Sequence, residues 1–213
     1  MTEPAQENPL RAAGGARRIE LADGELVYFA GAFAPTLADS LFTRLRREID
    51  WRREEITLFG ERHAVTRLVA WHGDPQAVYS YSGVEHRPLP WTAPLTEIRE
   101  RVEARAGHRF NAVLLNLYRD GRDGMGWHAD DEPELGPNPV IASVSLGATR
   151  RFRLRHRRHR RETVAIDLEH GSLLVMQGAT QHHWLHALPK VTRPVGERIN
   201  LTFRWVRPAL APA

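Results

Sequence analysis

From Asn111 onward the apolar residues of this chain recur at every second position, and that period constrains its fold more than any other feature. Side chains alternate between faces along an extended strand, so a period of two marks a strand with one buried face. Six runs carry the pattern: Asn111 to Tyr118, Val140 to Leu146, Arg151 to Arg155, Thr163 to Leu168, Ser172 to Met176 and Arg198 to Val206. Turn-forming residues separate them at Asp120-Gly121, Pro137-Asn138, His170-Gly171 and Pro194-Val195-Gly196. Two helical stripes precede the strands. Leu37, Leu41, Leu45 and Ile49 recur every four residues behind Pro35 and Thr36. Leu95, Ile98 and Val102 form the second, with Pro94 in its first turn and Gly107 as its stop. Short strands after two helices, with no strand–helix alternation, predict a mainly β antiparallel sandwich or jelly roll with flanking helices.

A chain of 213 residues suits one domain, expected over 18–206, between a disordered tip at 1–17 and a flexible one at 207–213. No run of eighteen apolar residues is present, and residues 1–17 lack the apolar core of a signal peptide. The expectation is therefore a cytoplasmic protein, monomeric and without a membrane partner. With no cysteine, disulfides, thiolate metal sites and thiol nucleophiles are excluded, so any metal must sit on His, Asp or Glu. Of the 30 basic residues only Lys190 is lysine. Such a bias reflects genome base composition as readily as function, so the positions of the arginines carry more information than the net charge of +4.

Three features point to chemistry. His128 and Asp130 are separated by one residue, so an extended segment presents both on one side. About fifty residues later come His182, His183 and His186, any one of which the spacing allows as a third ligand. Two imidazoles and one carboxylate bind one face of Fe(II) and leave positions open for a cosubstrate and O₂. In the last strand Ile199, Leu201, Phe203 and Trp205 share one face, while Arg198, Asn200, Thr202 and Arg204 share the other. The second set reads as the wall of a polar pocket, with arginines suited to gripping a carboxylate. Asn116 and Tyr118 likewise share a face of the earlier strand.

The stretch from Asn111 to Trp205 resembles the AlkB family of iron- and 2-oxoglutarate-dependent nucleic-acid demethylases. The resemblance rests on Asn116-Leu117-Tyr118, Trp127-His128-Ala129-Asp130-Asp131-Glu132, Ala142-Ser143-Val144-Ser145-Leu146-Gly147, His170-Gly171-Ser172-Leu173-Leu174, Trp184-Leu185-His186-Ala187-Leu188-Pro189 and Arg198-Ile199-Asn200-Leu201-Thr202-Phe203-Arg204. It is strongest toward the branch acting on duplex DNA and reaches back weakly to about residue 55. It implies a double-stranded β-helix (jelly roll) core over about 111–206, with a substrate-recognition part over about 18–110. It also implies oxidative demethylation of bases such as 1-methyladenine and 3-methylcytosine, using Fe(II), 2-oxoglutarate and O₂ and releasing formaldehyde, succinate and CO₂. The family context selects His186 as the ligand beside His128 and Asp130. Arg198 resembles the residue pairing with the distal carboxylate of 2-oxoglutarate. Arg204 and Asn116 resemble the groups near its iron-chelating end, and Tyr118 and Asn200 would complete the hydrogen bonds.

A methylated base must leave its stack to reach buried iron. Tyr79-Ser80-Tyr81-Ser82-Gly83 resembles the family segment lining the base pocket, with Tyr81, aided by Tyr79, facing the His128 ring across the base. Asp131 and Glu132 would read the polar edge of the base. Ile56 to His63 reads as a hairpin with an apolar tip at Leu58-Phe59-Gly60. It resembles the hairpin that a duplex-acting relative inserts, with Phe59 as either the wedge or a core residue. Residues 150–161 hold eight arginines and two histidines, and are expected as a hairpin tip with Phe152 and Leu154 inward and arginines along a phosphate backbone. DNA is the favoured partner. The alternatives are RNA, a hydroxylase of another substrate class, or a catalytically dead module that binds alkylated nucleic acid.

Overall fold

The computed structural model describes residues 15–58, 61–81 and 84–207. An eight-stranded sheet and a four-stranded sheet face each other, and two helices cover the outer face of the larger one. The described residues open with β1 (Ala16–Leu21) and β2 (Gly24–Phe29), then helix α1 (Pro35–Glu48). Next come β3 (Arg52–Leu58), β4 (Glu61–Gly73), the short hairpin β5 (Tyr79–Tyr81) and β6 (Val84–His86), and helix α2 (Ala93–Ala106). After these follow β7 (Ala112–Tyr118), β8 (Met125–His128), β9 (Ile141–Gly147), β10 (Arg150–His156), β11 (Thr163–Leu168) and β12 (Ser172–Gln177). The one-turn helix α3 (Thr180–His183) leads directly into β13 (Trp184–Leu188), and β14 (Arg198–Arg204) closes the series. The large sheet runs β1-β2-β12-β9-β14-β7-β4-β3 and the small one β11-β10-β13-β8, with neighbouring strands antiparallel in both. This is the jelly-roll arrangement of two facing antiparallel sheets.

Two apolar layers follow from this stacking. Leu41 and Leu45 of α1 and Leu95, Ile98 and Val102 of α2 pack against Leu115, Leu117, Ile199, Leu201 and Phe203 on one face of the large sheet. Each such fully buried side chain contributes on the order of 1.5–3 kcal/mol of hydrophobic stabilisation. The second layer lies between the sheets, where Leu26, Tyr28, Ile141, Leu174 and Met176 meet Phe152, Leu154, Trp184 and Leu188. Every residue of β14 is buried, because one face looks into the helix layer and the other into the space between the sheets. Arg198, Asn200, Thr202 and Arg204 belong to that second face and line the cavity there.

The helices lie where their stripes predict. Pro35 opens α1, and α2 ends on Gly107, whose φ of 63° is a left-handed conformation that glycine adopts without penalty. Ile49, expected as the last residue of the first helix, is instead extended but still buried, so it caps the helix with its side chain in the core. Two further differences concern strand ends. β14 stops at Arg204, and Trp205 turns outward at 44% exposure instead of joining the core face. Asn111 causes the break by replacing the ladder with its side chain. Its Nδ2 donates to Val206 O and its Oδ1 accepts from Val206 N, both at 2.7 Å. Arg150, grouped with the arginine-rich tip in the sequence, is buried in β10, where its guanidinium donates to the carbonyls of Asp120, Asp123 and Pro189. The exposed turn therefore begins after His156.

The region before residue 111 is not a separate layer. β4 pairs with β7, and β2 pairs with β12, so this region supplies four strands of the large sheet itself. β3 and β4 form the hairpin expected at 56–63, with Leu58 opposite Glu61. Phe59 and Gly60 lie outside the described residues, as do Ser82 and Gly83.

Candidate active site

β8 and β13 are neighbours in the small sheet, and their register sets His128 directly opposite His186. Alternation turns both rings inward and leaves Trp127 exposed, with the guanidinium carbon of Arg155 4.4 Å from its ring centroid. The two imidazole Nε2 atoms stand 3.1 Å apart. Just past the end of β8, Asp130 brings its carboxylate to the same point, so that one ligand atom from each residue lies within 4.8 Å of the others. His128 Nδ1 is 2.9 Å from the carbonyl of Gly126, which fixes its proton there and leaves the Nε2 lone pair facing the cluster.

Electrostatics prepare the same groups. Burial, aided by the neighbouring His128, pushes His186 down to about 3, so its ring is neutral at physiological pH. Burial alone would raise Asp130, but the Arg204 charge, together with His186 and His128, outweighs it and holds the carboxyl down to about 2. Arg204 Nη2 donates to Asp130 Oδ1 at 2.7 Å, with both side chains almost fully buried. The His128 and His186 imidazoles and the Asp130 carboxylate converge as two nitrogen donors and one oxygen donor, the set that divalent iron takes.

The second wall of the cavity belongs to β14, β7 and β9. Arg198 is fully buried, and burial pushes its guanidinium down to about 10, which still leaves it a cation at neutral pH. Its Nη2 donates to Ser145 Oγ at 2.9 Å, and the Tyr118 ring centroid lies 5.2 Å from its guanidinium carbon. Its Nε has no hydrogen-bond partner among the described residues. Its polar neighbours Tyr118 and Arg150 supply no carboxylate. A buried cation with an unused donor fits a bound anion, and the carboxylate end of 2-oxoglutarate supplies one.

The other expected residues divide into two groups. Asn116, Tyr118 and Asn200 line the cavity. Asn116 Oδ1 is occupied by Arg67 Nε at 2.5 Å, and Asn200 commits Nδ2 to Ser143 Oγ and Val144 O. Asn200 therefore braces the wall more than it offers donors to a ligand. Asp131 points away, held at 2.5 Å by Arg157 Nη2, while Glu132 is half-buried in the next position. The side chains of Tyr79 and Tyr81, like the whole of Phe59, lie outside the described residues. His182 accepts from the backbone N–H of Asn138, and His183 faces Asp23, so neither enters the cluster.

A second group of potential ligands, Asp23, His156 and His183, also brings its ligand atoms within 4.8 Å. It suits a metal poorly. The backbone N–H groups of Arg158 and His159 both donate to His156 Nδ1, which keeps the ring proton on Nε2, the atom that faces Asp23.

Four neighbours of the site, Ser145, Arg67, Gln181 and Arg157, are given no part in it by the sequence alone. Ser143 and Ser145 alternate in β9 opposite Thr202 and Asn200, so their spacing carried a usable signal. The other three act through long-range contacts that no local pattern announces.

Comparison with known proteins places these features in context. A family model described as the 2OG-Fe(II) oxygenase superfamily matches residues 25–204. The alpha-ketoglutarate-dependent dioxygenase alkB homolog 3 of Rattus norvegicus is 43% identical over 185 residues, covering 80% of this chain and 60% of that protein. DNA oxidative demethylase ALKBH2 of Mus musculus is 41% identical over 197 residues, covering 88% of this chain and 82% of that protein. The chain thus spans a little under two-thirds of the first relative's length and most of the second's. Among solved structures, that of OsALKBH1 superposes with a TM-score of 0.63 at 16% identity, over 89% of this chain and 100% of that one, a likeness of fold.

Proposed function

Because the chain belongs to the 2OG-Fe(II) oxygenase superfamily, and within it to the AlkB family, we propose that it oxidatively demethylates N-alkylated bases in DNA, as a DNA alkylation repair enzyme. The observation that carries this reading is that one cavity is lined by both the convergent His128, Asp130 and His186 and the buried cation Arg198. His128, Asp130 and His186 would hold Fe(II), and Arg198 would take the distal carboxylate of 2-oxoglutarate. When bound, Fe(II) with 2-oxoglutarate and O₂ supplies the oxidising power that hydroxylates an N-methyl carbon, with succinate and CO₂ as co-products. The hydroxymethyl group then leaves as formaldehyde and restores the base.

The protein's own contribution is placement and electrostatics. Arg204 keeps Asp130 anionic in a buried setting, and burial keeps His186 neutral. Apolar side chains at Leu114, Met125, Phe152, Leu168, Met176 and Leu188 line the rest of the cavity and limit the entry of water. Outside it, Arg155 lies over Trp127, Arg153 is exposed on the same face of β10, and Arg158, Arg160 and Arg161 stand exposed in the following turn. Exposed guanidinium groups on this outer face and turn suit contacts to a phosphate backbone. DNA is preferred over RNA because relatives at 35–43% identity include several named DNA oxidative demethylase. The test is succinate formation from 2-oxoglutarate with Fe(II), with and without an oligonucleotide carrying 1-methyladenine. Succinate and formaldehyde released in equal amounts only with the methylated strand support the proposal. Methyl-independent turnover, or binding without turnover, contradicts it.

A further inference from the structure

We infer that Gln181 is a positioning residue that aims the carboxylate of Asp130, an inference that rests on the metal reading of the His128, Asp130 and His186 cluster. The minor sheet ends at the pairing of His128 with His186, so Asp130 lies beyond the ladder and its backbone N–H has no strand to bond. That N–H is nevertheless satisfied, because the side-chain Oε1 of Gln181 accepts it at 3.0 Å. Gln181 is 0% exposed, in the one-turn helix α3, and its Nε2 rests 3.6 Å from Met176 Sδ. A fully buried amide carbonyl aimed at the main chain of a metal-ligating residue fixes the direction in which that residue's side chain leaves the backbone.

The same short helix also fixes the other end of the cluster. α3 runs straight into β13, and His186 is the third residue of that strand. Thr180 anchors α3 to β2, accepting from the Glu25 N–H at 2.9 Å. Arg157 closes the arrangement from outside. Its Nη2 bonds Asp131 Oδ2 at 2.5 Å and the carbonyl of Gln181 at 3.3 Å, and its own N–H donates to the His183 carbonyl at 2.7 Å. Gln181 thus lies where the loop bearing one ligand meets the helix delivering another, and it holds the two at a fixed separation. Partners of this kind, which orient ligands without touching the metal, are worth roughly 10- to 100-fold in metal affinity.

The test uses Co(II) as a redox-stable probe of the full chain, measuring affinity by calorimetry and coordination by the visible d–d spectrum. Metal-free melting temperature is read in parallel. Gln181→Met keeps the side-chain length but removes the carbonyl, and Gln181→Asn withdraws it by one methylene, so either variant carries the test if the other fails to fold. Both are expected to weaken Co(II) binding by roughly 10- to 100-fold and to alter the spectrum. Wild-type affinity with a wild-type spectrum in the folded variants overturns the inference, including when the melting temperature has fallen, since that pattern describes a purely structural glutamine. Wild-type protein that binds no Co(II), or binding that survives His186→Ala unchanged, refutes the metal reading itself, and is told apart by needing no Gln181 variant.

Discussion

Replacing Arg198 with methionine separates cosubstrate binding from folding, because the structure predicts opposite signs for the two. The guanidinium is fully buried with an unused Nε donor, and burial has already pushed it down to about 10 from an ordinary 12.5. A cation that is harder to keep charged when folded than when unfolded costs stability at every pH below its folded value, here on the order of 3 kcal/mol. Methionine removes that penalty with a side chain of similar reach, although Ser145 Oγ loses one partner. The ligand-free variant is therefore expected to melt no lower than wild type. Binding of 2-oxoglutarate should suffer instead. Loss of one member of a buried charge pair costs about 2–5 kcal/mol, or roughly 30- to 5000-fold in affinity. Calorimetric titration of 2-oxoglutarate into the Mn(II)-loaded protein, alongside thermal melting of the ligand-free form, reads both effects. Unchanged 2-oxoglutarate affinity would remove Arg198 from the cosubstrate site. A large fall in the ligand-free melting temperature would show that Arg198 serves the fold.

Other perturbations bear on the neighbouring residues. His128→Ala, Asp130→Ala and His186→Ala should each abolish turnover, whereas His182→Ala and His183→Ala should retain iron and activity; activity surviving in His186→Ala but lost in His183→Ala would reassign the third ligand. Arg204→Met strips Asp130 of the cation that opposes its burial, so its carboxyl should rise and half-maximal Mn(II) binding should move to higher pH. An unshifted pH profile would show that Arg204 does not control that charge. Phe59→Ala should slow repair of duplex substrate strongly and of single-stranded substrate little, since unstacking costs a few kcal/mol per step only where bases are stacked. Equal slowing on both substrates would remove the wedge reading.

The parts of this molecule legible in the sequence are those whose determinants are local. A period of two exposed β7, β9, β11 and β12 within a residue or two of their ends, and the polar face of β14 announced a pocket wall before any geometry was known. Strands with a charged or mixed pattern escaped. β1 reads Ala-Arg-Arg-Ile-Glu-Leu because it is an edge strand with exposed side chains, where charge protects against further pairing. The triad was legible because His128 and Asp130 share one extended segment, while choosing His186 over its two neighbours needed either family context or the β8–β13 register. Gln181 and Arg157 were silent. Their roles arise from contacts spanning 51 and 26 residues, and nothing in the local pattern distinguishes a buried bracing glutamine from an ordinary helical one. The arginine-rich stretch misled at one position, since Arg150 resembles its neighbours in sequence but is buried with its donors spent on main-chain carbonyls.

Base demethylation is read by mass spectrometry of matched single- and double-stranded oligonucleotides carrying 1-methyladenine or 3-methylcytosine, incubated with the protein, Fe(II), ascorbate and 2-oxoglutarate. Loss of one methyl group from the modified strand is expected, dependent on both Fe(II) and 2-oxoglutarate and absent with Asp130→Ala. An unaltered oligonucleotide mass in a preparation that still converts 2-oxoglutarate to succinate would rule out base demethylation and assign the site to a different substrate.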